Sequence, residues 1–141
     1  VSADNRYELV PTAPTVDEYM TLRRDSGLTP RSRDQSEGAV HNSWSFCHVR
    51  AENGDAVAMG RVIGDGGWYF VIADMATLPA HQRQGLGRRV IDHLLDDIRS
   101  RAPMGAYVTL TADAAGQRLY KQVGFSDVAP AQAGMSMKLS D

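Results

Sequence analysis

The sequence predicts an α/β fold whose mixed sheet begins as an antiparallel meander and passes into a parallel strand, helix, strand unit. Three observations carry this. Two strand-like runs, Trp44 to Arg50 and Ala56 to Ile63, flank Asn53-Gly54, and Asn-Gly between apolar runs is the strongest short hairpin signal. A third run, Trp68 to Thr77, leads through Gln82-Arg83-Gln84-Gly85-Leu86-Gly87-Arg88 into a helix over about Gln84 to Arg99, where Leu86, Val90, Ile91, Leu94, Leu95 and Ile98 recur at helical spacing. Ala106 to Ala112 follows as a strand, and two strands joined through a helix form a crossover whose strands run parallel.

The outer elements follow from local signals. Arg6 to Val10 reads as a first strand, and Thr15 with Glu18 has capping-box spacing ahead of a helix carrying Val16, Tyr19, Met20 and Leu22. Asp25 to Asn42 is polar and weakly periodic, which predicts a loop with a short second helix. Gly64-Asp65-Gly66-Gly67 is the turn into the third meander strand. A further helix covers about Ala114 to Gln122, with Gly124 in the left-handed closing position. Phe125 to Val128 and Met135 to Leu139, the latter alternating Met135, Met137 and Leu139 with Ser136 and Lys138, read as closing strands. The expectation is a single domain, 1–141, with about six to seven strands, about four helices and a parallel pair at the centre.

Composition bounds the partners. With 141 residues, 43% of them hydrophobic and 23% charged, the chain can bury a core without disulfides or metal. A net charge of -2 leaves no polyanion footprint, so no nucleic-acid partner is expected. The lone Cys47 excludes an internal disulfide, and no apolar run reaches membrane-spanning length; a cytoplasmic protein with no membrane partner is expected, and a homodimer stays open. His41, His48, His81 and His93 lack ligand spacing, so no metal is expected, and His81 reads as a solvated loop histidine. Cys47, next to Phe46 in a strand, reads as a packed thiol. Trp44, Trp68 and Tyr69 could line a pocket or fill the core.

The glycine loop is an anion cradle by its chemistry. The first turn of a helix has amides without intrahelical partners, and the macrodipole adds about half a positive charge there. Gly85 and Gly87 clear side chains from the approach, Arg83 and Arg88 add charge, and Gln82 and Gln84 add neutral donors. A dinucleotide fingerprint needs Gly or Ala where Val90 stands, and Gly-Lys-Ser/Thr is absent. A plain glycine-softened turn remains the other reading of the loop alone.

The run Asp74-Met75-Ala76-Thr77-Leu78-Pro79 followed by Gln82 to Arg88 resembles motif A of the Gcn5-related N-acetyltransferase (GNAT) superfamily, whose loop signature is Arg/Gln-x-x-Gly-x-Gly/Ala. Asp113 to Phe125, ending Leu119-Tyr120-Lys121-Gln122-Val123-Gly124-Phe125, is similar to its motif B. The resemblance implies acetyl-CoA as co-substrate, with its pyrophosphate on the amides of Arg83 to Arg88 and its pantetheine arm along Met75, Ala76 and Thr77. It also implies a splayed central strand pair and a bulge near Asp74 to Ala76. The implied activity is acetyl transfer from CoA to a primary amine; the short C-terminal part favours a small-molecule acceptor.

Within that resemblance, Tyr120 matches the usual general acid, and a backbone N–H near Met75 to Thr77 would stabilise the oxyanion. A tyrosine of reference pKa about 10 holds its proton at neutral pH and can pass it to a thiolate. The base is not marked. Some relatives carry a glutamate on the fifth strand where this chain has Val108. Asp74 is the nearest carboxylate, but simple alternation turns it away from the face of Val71, Ala73 and Met75. A bulge could re-aim it as a base, or it is a structural aspartate; water leading to bulk is a further acceptor. Asp113 stands where relatives often have Asn, and either accepts from a CoA amide or caps the helix. Acceptor recognition falls by resemblance on Arg23 to Trp44, where acidic and basic residues balance. The missing base and the Asp113 change leave a second reading open, a non-catalytic acyl-CoA-binding regulatory module.

Overall fold

The computed structural model describes residues 6–140, which fall into two compact units divided between Leu110 and Thr111. In the first unit, β1 (Tyr7–Val10), β2 (Ser45–Ala51), β3 (Ala56–Gly64), β4 (Tyr69–Thr77) and β5 (Tyr107–Thr109) form one sheet in sequence order. The first four strands are antiparallel neighbours, and β4 and β5 are parallel. The helices of this unit are α1 (Val16–Asp25), α2 (Arg33–Asn42) and α3 (Leu86–Arg101).

Local chemistry explains the boundaries. Thr15 Oγ1 accepts from the Glu18 amide at 3.1 Å while Glu18 Oε1 accepts from the Thr15 amide at 3.0 Å, the expected capping box. Ser32 and Gln35 repeat that box at the start of α2, which makes a full ten-residue helix of a segment expected to be mostly loop. Gly54 takes the hairpin turn at φ 90°. Asp65 Oδ1 accepts from the amides of Gly67, Trp68 and Tyr69 at 2.7, 3.0 and 3.2 Å and fastens the turn into β4.

Two cores cover the sheet. Tyr19 and Leu22 of α1 bury against Phe46, Met59 and Ala76 on one side. On the other, α3 contributes the buried Leu86, Val90, Ile91, Leu94 and Ile98. Cys47 lies 3.9 Å from the Val90 carbonyl, and Gly60 is pressed so closely by Met75, Val90 and Leu94 that a Cβ would stand 2.5 Å from Met75 Sδ.

The second unit carries α4 (Gln117–Gln122), closed by Gly124 at φ 112°. The expected closing strands over 125–128 and 135–139 are not strands, so the sheet has five strands among the described residues instead of six or seven. Alternation marks an apolar face but supplies no ladder partner. Met135, Met137 and Leu139 are exposed.

Candidate active site

The parallel pair opens early. Pairing between β4 and β5 runs only over Tyr69↔Tyr107, Phe70↔Val108 and Val71↔Thr109, so β4 continues to Thr77 without a strand on that side. The Leu78 amide donates to Val57 of β3 at 2.9 Å. Backbone groups alternate direction along a strand, so Ala76 also turns to β3, its registered partner there being Met59. Met75 and the Thr77 N–H therefore turn to the open edge, the segment expected to hold the pantetheine arm, while the Thr77 carbonyl accepts from Gln82 Nε2.

The implied bulge is present just before this edge. Arg61 pairs with Ala73 and Met59 with Ala76, so Asp74 and Met75 face the single residue Gly60. Asp74 adopts φ 55°, in the left-handed region that non-glycine residues seldom occupy. The bulge changes the phase of β4 and corrects the expectation from alternation: the Asp74 side chain lies on the α1 side. Its carboxylate accepts from the Tyr19 hydroxyl and from Arg23 Nη1, and from Arg61 Nε at 2.6 Å. Arg23 Nε also donates to the Thr29 carbonyl at 2.9 Å, and Arg61 Nη1 to Ser43 Oγ at 3.2 Å. Burial, then the Asp74 carboxylate, raises the Tyr19 pKa above its ordinary value, so the phenol stays protonated as a donor.

At the end of β4 the chain passes through a single helical turn, Pro79–His81, into the glycine loop. Arg83 at φ 62° and Gly85 at φ 77° both take left-handed geometry, and a Cβ on Gly85 would meet nothing within 4 Å. Gly85 is the N-cap of α3 and supplies no side-chain cap, so the first-turn amides of α3 are available to an anion. Three side chains of the cradle are engaged: Gln82 Nε2 donates to Thr77 O at 3.2 Å, Gln84 Oε1 accepts from Arg6 at 3.1 Å, and Arg88 pairs with Asp92 at 3.0 Å. His81, expected to be solvated, instead shares a 2.9 Å hydrogen bond with the Tyr7 hydroxyl, so β1 holds the loop.

In the second unit, Asp113 Oδ1 accepts from the Gly116 amide at 2.8 Å and fastens the turn ahead of α4, whose N-cap, Gly116, has no side-chain cap. The Tyr120 ring packs edge-on to Phe125 at 6.1 Å between centroids. Burial first, and the Asp113 charge second, push its phenol above the ordinary tyrosine value. Gln117, Arg118 and Lys121 line an open groove on α4.

The remaining candidates sort by burial. Cys47 is fully buried, its thiol pushed up to about 12 by desolvation. Trp44 stacks beneath the Arg101 guanidinium at 3.9 Å and packs on Phe70, whereas Trp68 and Tyr69 are exposed. Among the described residues no His, Cys, Asp and Glu cluster could hold a metal, and no helix is long and apolar enough to cross a membrane. Sequence reasoning missed the Tyr19, Arg23 and Arg61 grouping. The available signal was Arg61 itself, a charge inside an apolar strand that needs a buried partner.

A mixed sheet whose parallel pair stops at Val71 and Thr109, a bulge in β4, and a glycine loop leading into the uncapped α3 N-terminus together define the architecture of the first unit. The sequence model of the acetyltransferase (GNAT) family matches residues 13–125, and the chain belongs to that family. A Staphylococcus aureus structure described as a probable acetyltransferase of unknown function superposes with a TM-score of 0.88 at 32% identity, covering 94% of this chain and 99% of that one. The Escherichia coli K12 ribosomal protein bS18-alanine N-acetyltransferase is 38% identical over 64 residues, 40% of this chain and 43% of its own length. The rice chloroplastic serotonin N-acetyltransferase 2 is 28% identical over 113 residues, 78% of this chain and 56% of its own. The chain thus spans about half the length of the curated relatives it matches.

Proposed function

We propose that this chain moves an acetyl group from acetyl-CoA to the primary amine of a small molecule by direct attack. The observation that carries the reading is the open β4 edge at Met75 and Thr77, running straight into the uncapped α3 N-terminus behind Gly85. One arm of amide groups followed by a pyrophosphate matches that order of donors. The rice relative, which aligns over most of this chain, is named for serotonin, a small amine; this supports a small acceptor over a protein N-terminus.

Acetyl-CoA supplies an activated thioester carbonyl. Amides of Leu86 to Arg88 and the Arg83 guanidinium bind the pyrophosphate, and the Met75 and Thr77 backbone aligns the arm. A β4 amide stabilises the oxyanion that forms as the amine nitrogen attacks and the carbon–sulfur bond later breaks. Tyr120, at the motif position that the family uses for its acid, would give its proton to the departing thiolate. Its raised pKa keeps it protonated throughout the neutral range. Water takes the amine proton, since Val108 offers no acceptor and the Asp74 carboxylate is already engaged by three donors.

A non-catalytic acyl-CoA module is the second reading, favoured by Val108 and by Asp113 being turned to the Gly116 amide. Acetyl-CoA is expected to raise the melting temperature under both readings, and Gly87→Arg to abolish the rise by filling the cradle. Transfer to amines that falls about 100-fold in Tyr120→Phe supports catalysis; binding without turnover on a broad amine panel supports the module.

A further inference from the structure

Three polar side chains, two of them buried and one partly buried, converge on the one non-glycine residue of β4 with positive φ. Tyr19 and Arg23 come from α1, Arg61 from β3, and all three bind the Asp74 carboxylate at the bulge. The Arg23 and Asp74 side chains are each 9% exposed and that of Arg61 17%. A buried carboxylate between two guanidiniums is costly to leave unpaired, so the group holds one geometry. Left-handed backbone at Asp74 is tolerated there because the surrounding contacts fix it.

We propose that Asp74 is a positioning residue for acetyl transfer: its clamp by Tyr19, Arg23 and Arg61 fixes the β4 bulge that turns the Met75 and Thr77 amides to the open edge. The bulge sets the phase of the strand, and the phase decides which amides face the acyl oxygen. Without the clamp, relaxation of Asp74 toward ordinary β geometry exchanges the amide directions of the next residues. Arg23 also holds the Thr29 carbonyl, so the segment between α1 and α2 is tied to the same point. The inference rests on the acetyl-transfer reading.

The test compares Tyr19→Phe, Arg61→Lys, Arg61→Met and Asp74→Asn in the full chain, by steady-state kinetics and by amide hydrogen exchange without ligand. Tyr19→Phe is expected to lower kcat about 10-fold and Asp74→Asn about 100-fold, the scale of a misaligned oxyanion donor. The acetyl-CoA KM should rise together with the fall in kcat, because the same Met75 and Thr77 amides align the pantetheine arm, and the pH–rate profile should keep its shape. Arg61→Lys should recover most of what Arg61→Met loses. Exchange should quicken at residues 73–77 ahead of β2, where a general loss of folding would quicken both. Loss confined to Asp74→Asn, restored by added formate, would make Asp74 a proton acceptor and overturn the proposal, as would unchanged exchange at 73–77. A wild-type chain that transfers no acetyl group defeats the functional reading alone, and the exchange data then decide the clamp.

Discussion

Gly60→Ala tests the packing that supports the bulge. Gly60 lies opposite Asp74 and Met75, and an added Cβ would stand 2.5 Å from Met75 Sδ, 2.7 Å from Val90 Cγ1 and 3.1 Å from Leu94 Cδ1. The methionine end can swing aside, but Val90 and Leu94 belong to α3, which must shift from the sheet. Overpacking of this kind costs about 2 kcal/mol. At about 3–4 °C per kcal/mol for a chain of this size, the midpoint should fall by about 6–8 °C. Met75→Ala removes the nearest clash, so the double variant should be less destabilised than the sum of the singles by at least about 0.5 kcal/mol. The assay is thermal unfolding by circular dichroism, with urea titration for the free energies. A Gly60→Ala midpoint within about 1 °C of wild type, or strict additivity with Met75→Ala, would refute the packing argument.

Further outcomes follow from titratable groups. His48 is 2% exposed, its Nδ1 lies 2.7 Å from the Thr12 carbonyl and its Nε2 has no partner, and burial lowers its pKa. The folded state therefore favours neutral imidazole, so stability is complete above the ordinary value near 6.5 and falls as pH drops below it, by at most about 1.4 kcal/mol per unit. Urea titrations between pH 7.5 and 5 should show this slope and lose it in His48→Gln. Glu18, lowered to about 2 chiefly by Arg50, should add a separate loss as pH falls from about 4.5 to 2, absent in Glu18→Gln. Cys47 should resist thiol reagents at pH 8 until denaturant is added. Asp113→Asn should move the Tyr120 phenol titration downward in ultraviolet difference spectra, because a negative charge beside it is removed.

What was legible in the sequence tracks how local the cause is. The Thr15 box, the Asn53-Gly54 hairpin and the α3 stripe depend on neighbours within a turn or two, and the structure has all three. The Ser32 and Gln35 box was equally local, yet the polar composition of Asp25 to Asn42 hid it, because α2 buries little beyond Ser36. The bulge came from resemblance; spacing could not show it, since it needs Gly60, Asp74 and three donors from distant elements. The closing strands failed for the opposite reason: Met135, Met137 and Leu139 satisfy a local pattern, but a strand also requires a partner ladder. Likewise the loop motif was readable, whereas its tether through Tyr7 and His81 joins residues 74 positions apart.

Release of free CoA from acetyl-CoA, followed with a thiol reagent across arylalkylamines, polyamines, amino sugars and an N-terminal alanine peptide, tests the account most directly. The expected result is turnover with at least one small amine that is strongly reduced in Tyr120→Phe. Acetyl-CoA binding at the cradle with no CoA release above background for any acceptor class would contradict it.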